Sequence, residues 1–165
     1  MVVRERAIRI GRTEAFKSVT IGLLIAQLIM MLVSSGKGLI AAFLWFSDLN
    51  YQLYNLIIAI VAMYFCAYVF GGLAGISIII WRWNYLWTGF LYGFLILVCA
   101  TFLAGWTGFF QEKISDFSGN GSPFFDYIIK PLIWVTVTGF LPVLVVGFWF
   151  GSRIYKKGKI SGYVL

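Results

Sequence analysis

The sequence predicts an all-α integral membrane protein: a bundle of four transmembrane helices with both chain ends inside (N-in/C-in) and a short outer interfacial helix between spans 1 and 2. Three observations predict it. Apolar residues make up 61% of the 165-residue chain and charged residues only 12%, about half the charged share from which a soluble domain builds a water-facing surface. The apolar residues fall in four runs long enough to cross a bilayer. The basic residues collect between and beyond those runs in a one-sided pattern.

A basic cytoplasmic arm is expected over residues 1–16, carrying Arg4, Arg6, Arg9 and Arg12. The first span is read over 17–35, with Thr13 as its cap, Glu14 at its positive end, and Ser34-Ser35-Gly36 as its stop. The same basic start, the run from Val19 to Val33 and the small residues after it also fit a secretory signal. A retained span is the expectation. Residues 39–47 are apolar but too short to cross, which predicts an outer interfacial or re-entrant segment.

The second span is read over 52–80, longer than the roughly 20 residues a bilayer needs, so tilt or a bend at Gly71-Gly72 is expected. The third occupies 86–110 and an outer loop 111–127 follows it. Within that loop Ser118-Gly119-Asn120-Gly121-Ser122-Pro123 is a turn signal, and Asn120-Gly121-Ser122 reads as a glycosylation sequon. The fourth span is read over 128–151, with Pro131 in its first turn and a kink expected at Pro142. A basic cytoplasmic tail, 152–165, closes the chain, and its apolar end suits docking as an extended strand.

Ten of thirteen cations, Arg4, Arg6, Arg9, Arg12, Lys17, Arg82, Arg153, Lys156, Lys157 and Lys159, fall on one side of this scheme. The positive-inside rule makes that side cytoplasmic, and the expected location is the bacterial cytoplasmic membrane. Trp81, Trp83, Trp87 and Trp149 fall at the same edge and Trp45, Trp106 and Trp134 at the other, as rings that prefer the head-group level should.

Small residues recur at packing intervals in every span: Ser18, Gly22 and Ala26; Ala59, Ala67, Gly71 and Gly75; Gly89 and Gly93 with Ala100, Ala104 and Gly108; Gly139, Gly147 and Gly151. They let helix backbones approach in lipid, where apolar burial drives little association. Such stripes suit packing within one bundle and also a homo-oligomer.

The chemistry expected is sparse. The chain has no histidine, which removes histidine haem ligation and most Ser-His chemistry. No charged residue is placed in a span core, which argues against a proton relay. Cys66 and Cys99 read as small buried hydrophobes, and no cofactor or metal is expected. Gln27 is the one strongly polar side chain near mid-span, with Asn55, Thr136 and Thr138 as expected hydrogen-bond partners. Glu14, three residues before Lys17, reads as a helix-end charge or an i,i+3 ion pair.

Three functions are compatible with this inventory. The leading one is a non-catalytic membrane subunit that oligomerises and anchors a cytoplasmic protein through Arg4, Arg6, Arg9, Arg12, Arg82, Arg153, Lys156, Lys157 and Lys159, the same residues being suited to anionic lipid. The second is a homo-oligomeric channel or membrane-permeabilising effector with Gln27, Thr136 and Thr138 lining its path. The third is a lipid- or small-molecule-binding transporter subunit with its site between helices. Nucleic acid is not expected, because the cations flank apolar runs.

Overall fold

The computed structural model describes residues 2–34, 52–114 and 124–161. Every element among them is helical: α1 (Val2–Ser34), α2 (Gln52–Ile79), α3 (Tyr85–Ile114), a π-helical turn (Phe125–Ile129) and α4 (Lys130–Ile160). Three helical segments are long and apolar enough to cross a membrane: Leu56–Ile79, Tyr85–Thr107 and Phe125–Ile160. The segment read as span one lies in α1 and runs into residues 30–34, whose side chains are outside the described set. Residues 39–47, the turn at 118–123 and the last four residues also lie outside it.

The helices close into a ring. α1 packs on α2, α2 on α3, α3 on α4, and α4 returns to α1. Two seams have backbone-to-backbone contact. In the first, Ala7, Gly11 and Ala15 of α1 run antiparallel to Gly75 and Gly71 of α2. A Cβ on Gly11 would collide with the Gly71 carbonyl, and one on Gly71 would stand 2.5 Å from the Ala15 Cβ. In the second, Gly89 of α3 meets Gly147 and Gly151 of α4, where a Cβ on Gly89 would lie 2.6 Å from the Gly151 Cα. Gly93 has more room, 3.5 Å from the Gly147 Cα. Glycine at these positions removes the side chains that would hold the helix axes apart.

Polar pairs fix the register. Thr20 and Tyr64 hydroxyls meet at 2.8 Å across α1–α2, and those of Ser77 and Tyr92 at 3.1 Å across α2–α3. Lipid-facing rows complete the design: Ile133, Val137, Leu141 and Val145 repeat every four residues along α4 and are exposed.

Three local expectations change. Thr13 does not cap a helix, because α1 begins at Val2 and the Thr13 hydroxyl donates to the Arg9 carbonyl one turn back. The basic arm is thus helical and is the packed part of α1. The small-residue face of α1 that meets α2 is Ala7-Gly11-Ala15; of the expected Ser18, Gly22 and Ala26, Ser18 is buried, whereas Gly22 faces open space and Ala26 is exposed. The tail is helical as well: Arg153 to Lys159 prolong α4 past Gly151. α4 stays helical through Pro142. The other proline, Pro131, directly follows the π-turn, in which the Lys130 N–H donates to the Phe125 carbonyl. That widened turn falls where the proline ring would crowd the carbonyl of Tyr127, and Gly105 of α3 lets it approach, a Cβ there lying 3.0 Å from the Tyr127 oxygen.

The α2–α3 hairpin is closed by a bond from the Trp83 N–H to the Ser77 carbonyl at 3.1 Å, with Arg82 between them at φ 57°. Arg82 therefore stands in the left-handed position that glycine usually takes just past a helix end. Arginine there bears a strain on the order of 1 kcal/mol.

Candidate functional site: a buried carboxylate under three cations

Glu14 is fully enclosed, with 0% of its surface exposed. The i,i+3 pair with Lys17 expected from the sequence forms, but Glu14 is not at a helix end and is the centre of an ion cluster that joins α1 to α4. Arg153 donates through Nε to Oε2 at 3.3 Å; Lys157 Nζ lies 2.5 Å from Oε1, and Lys17 Nζ 3.6 Å from it. Both lysines approach Oε1 as ion pairs. The three cations are 39–50% exposed, so they roof the carboxylate and face outward.

Local helix geometry explains the cluster. Arg153 and Lys157 are one turn apart on α4 and therefore share a face, as do Glu14 and Lys17 on α1. Ser18, also buried, donates its hydroxyl to the Glu14 carbonyl at 2.8 Å, which keeps a second polar group satisfied. On its neighbouring face α1 sends Arg12 across α2, where Nε donates to the Tyr68 carbonyl at 3.2 Å and the guanidinium sits 3.6 Å over the Tyr68 ring.

Burial alone would raise the Glu14 pKa, and Lys157, with Lys17 and Arg153, outweighs it, so the carboxyl titrates below its ordinary value. A lowered folded pKa gives stability that is complete above the unfolded value, near 4.5, and is lost as pH falls through the folded value. The melting temperature of the wild-type protein should therefore exceed that of Glu14→Gln by a constant margin between about pH 7 and 5, and the margin should shrink in stronger acid. A margin independent of pH down to the acid limit would contradict an ionised Glu14.

The basic residues read from the sequence do come to one end of the bundle. Ala7 touches Gly75 near the close of α2, Tyr85 at the start of α3 meets Gly151, and Tyr85 stacks on Tyr155 at 4.6 Å. Arg4, Arg6, Arg9, Arg82, Lys156 and Lys159 are exposed there, whereas Arg12 is held against Tyr68 and the partly exposed Arg153 and Lys157 against Glu14. Trp81, Trp83 and Trp87 are exposed at the same end, and Arg153 lies 5.7 Å from the Trp149 ring centre.

Gln27 and Thr136 are half-buried, Thr138 is exposed with its hydroxyl donated to the Trp134 carbonyl, and the Asn55 side chain lies outside the described residues. Cys66 is buried and Cys99 half-buried, both as free thiols. They line an apolar groove of ≈ 410 Å³ with Phe65, Val69, Phe102 and Leu103 among others. No group of three His, Cys, Asp or Glu with metal-binding spacing occurs among the described residues.

The described residues form an all-helical ring closed by an ionic contact, with three helical segments long and apolar enough to cross a membrane, an architecture compatible with an α-helical membrane protein. Comparison with family models, with curated proteins and with solved structures finds no match.

The signal for Glu14 was present but weak. It is one of six acidic residues, and one of only two near the basic segments; a carboxylate so outnumbered by cations is a natural centre for a cluster. The Ala7-Gly11-Ala15 repeat was equally visible, masked by the arginines between its members.

Proposed function

We propose that this chain is a non-catalytic membrane subunit of four spans, with its N-terminal arm and the end of α4 on the cytoplasmic side of a bacterial membrane, that associates with other subunits or copies of itself and anchors an acidic cytoplasmic partner. The observation that carries the proposal is convergence. Three separate chain segments deliver ten cations and only two carboxylates, Glu5 and Glu14, to one end of the bundle. Helical continuity makes that end a firm surface, because α1 and α4 carry their cations on packed helices. The 24-residue apolar segment of α2 is about 36 Å long, roughly 6 Å more than a hydrocarbon core. The excess brings the Glu14 cluster close to the head-group boundary when it is assigned to the basic end.

Two measurements test this. Cysteine labelling at Arg4→Cys and Lys159→Cys should report the same, cytoplasmic, side. Photo-crosslinkers at Arg9 and Lys156 should capture one acidic protein in cells, while a crosslinker at Trp134 should not. Reversing Arg9, Lys156 and Lys159 to glutamate should reduce capture by about tenfold or more, as loss of charge complementarity at a docking face does. Equal capture from Trp134, or labels on opposite sides, would remove the reading.

A further inference from the structure

We propose that Lys17, Arg153 and Lys157 form a binding site for the phosphate of an anionic phospholipid, seated over Glu14 in the seam between α1 and α4. The inference uses the placement of the basic end at a membrane surface and is independent of any protein partner.

Charge comes first. Three cations contact one carboxylate, which leaves two positive charges uncompensated at a seam where no other acidic group makes an ion pair among the described residues. Glu14 is wholly covered while each cation is partly exposed, so the surplus charge faces outward. Arg153 engages Glu14 through Nε, and the rest of its guanidinium fork is directed at no other acceptor among the described residues. Guanidinium and ammonium groups gathered in this way match a phosphate diester.

What lies beside the cations selects a lipid over a free anion. On α1, Leu24 and Leu28 follow Lys17 at seven and eleven residues, on the same helix face, and are 60% and 58% exposed. On α4, Trp149 and Val145 precede Arg153 by one and two turns and are also exposed. Both apolar rows lead from the cations toward the middle of their helices, since α1 runs away from the basic end and α4 runs toward it. Neither is covered by the described residues: from Thr20 to Ile29 no residue of α1 is buried against them, and Val145 and Trp149 are likewise exposed. The arrangement is a charged roof with two apolar rows beneath it and a tryptophan at the junction, which matches a head group above acyl chains.

Purified protein in mild detergent, titrated with phosphatidylglycerol or phosphatidylcholine and read by native mass spectrometry, tests the site. Phosphatidylglycerol should be retained at least about tenfold better, and Arg153→Gln/Lys157→Gln should remove that preference. Lys17→Gln, which leaves both α4 contacts to Glu14 intact, guards against a folding defect. Lys156→Gln/Lys159→Gln removes the same charge from the exposed face of α4 and should leave retention within about twofold. Equal retention of the two lipids, or equal loss in the Lys156/Lys159 variant, would overturn the proposal. So would displacement of the lipid by inorganic phosphate in the low millimolar range, since that outcome marks a free-anion site. Sidedness is read separately by the cysteine labels, so failure here and failure of the topology are distinguishable.

Discussion

Replacing Gly11 with leucine should separate α1 from α2 and destabilise the protein by about 3 kcal/mol or more, the upper range for overpacking. A Cβ at Gly11 would collide with the Gly71 carbonyl and lie 2.9 Å from the Gly75 backbone. A backbone obstacle cannot rotate away as a side chain can, so relief requires the helices to part. The parting would then break the neighbouring Thr20–Tyr64 bond and the Arg12 contact with Tyr68. Thermal unfolding in detergent, followed by circular dichroism, should show a graded loss from Gly11→Ala to Gly11→Leu. Gly22→Ala, where nothing lies within 4 Å, should be neutral or slightly stabilising. Similar melting temperatures for Gly11→Ala and Gly22→Ala would disprove the α1–α2 packing.

The second large effect is expected at Glu14. Removing one partner of a buried ion pair costs about 3–5 kcal/mol when the other is left enclosed. Here the three cations are partly exposed and water relieves them, so Glu14→Gln should cost less, about 2 kcal/mol. The loss should be specific to the α1–α4 seam. Spin labels on Thr13 and Lys156, both exposed, should report a longer or broader distance in the variant, whereas labels across α2–α3 should not change. Glu14→Lys combined with Lys157→Glu restores one opposite-charge pair in reverse and should recover part of the stability. If the double exchange is no better than Glu14→Lys alone, direct pairing is not what joins these helices.

The helical character, the apolar spans over α2, α3 and α4, and their approximate limits were legible because hydropathy integrates over some twenty residues and tolerates local ambiguity. Helix ends were less legible. Thr13 looks like a cap and Gly151 like an end because local signals cannot register that a helix continues when its charged turns are packed against another helix. Gly89, Gly147 and Gly151 lie at close backbone approach between α3 and α4, and glycine at four-residue intervals makes such a contact legible in a membrane helix. Ala7, Gly11 and Ala15 carry the same interval, but the arginines around them gave the segment the look of a solvated arm. The Glu14 cluster was beyond the reach of local reading: Arg153 lies 139 residues away, and only closure of the ring brings α4 to α1.

That separation has a temporal side. During synthesis Glu14 emerges early and its α4 partners emerge last, so the carboxylate must wait through the making of α2 and α3 without Arg153 or Lys157 beside it. Until then Lys17 on its own helix is the one cation paired with it among the described residues, and α1 is held by its contacts with α2. Docking of α4 is thus the step that both closes the circle and quenches an unpaired charge, and a chain stalled before α4 would display that charge to any membrane protease surveying unfinished proteins.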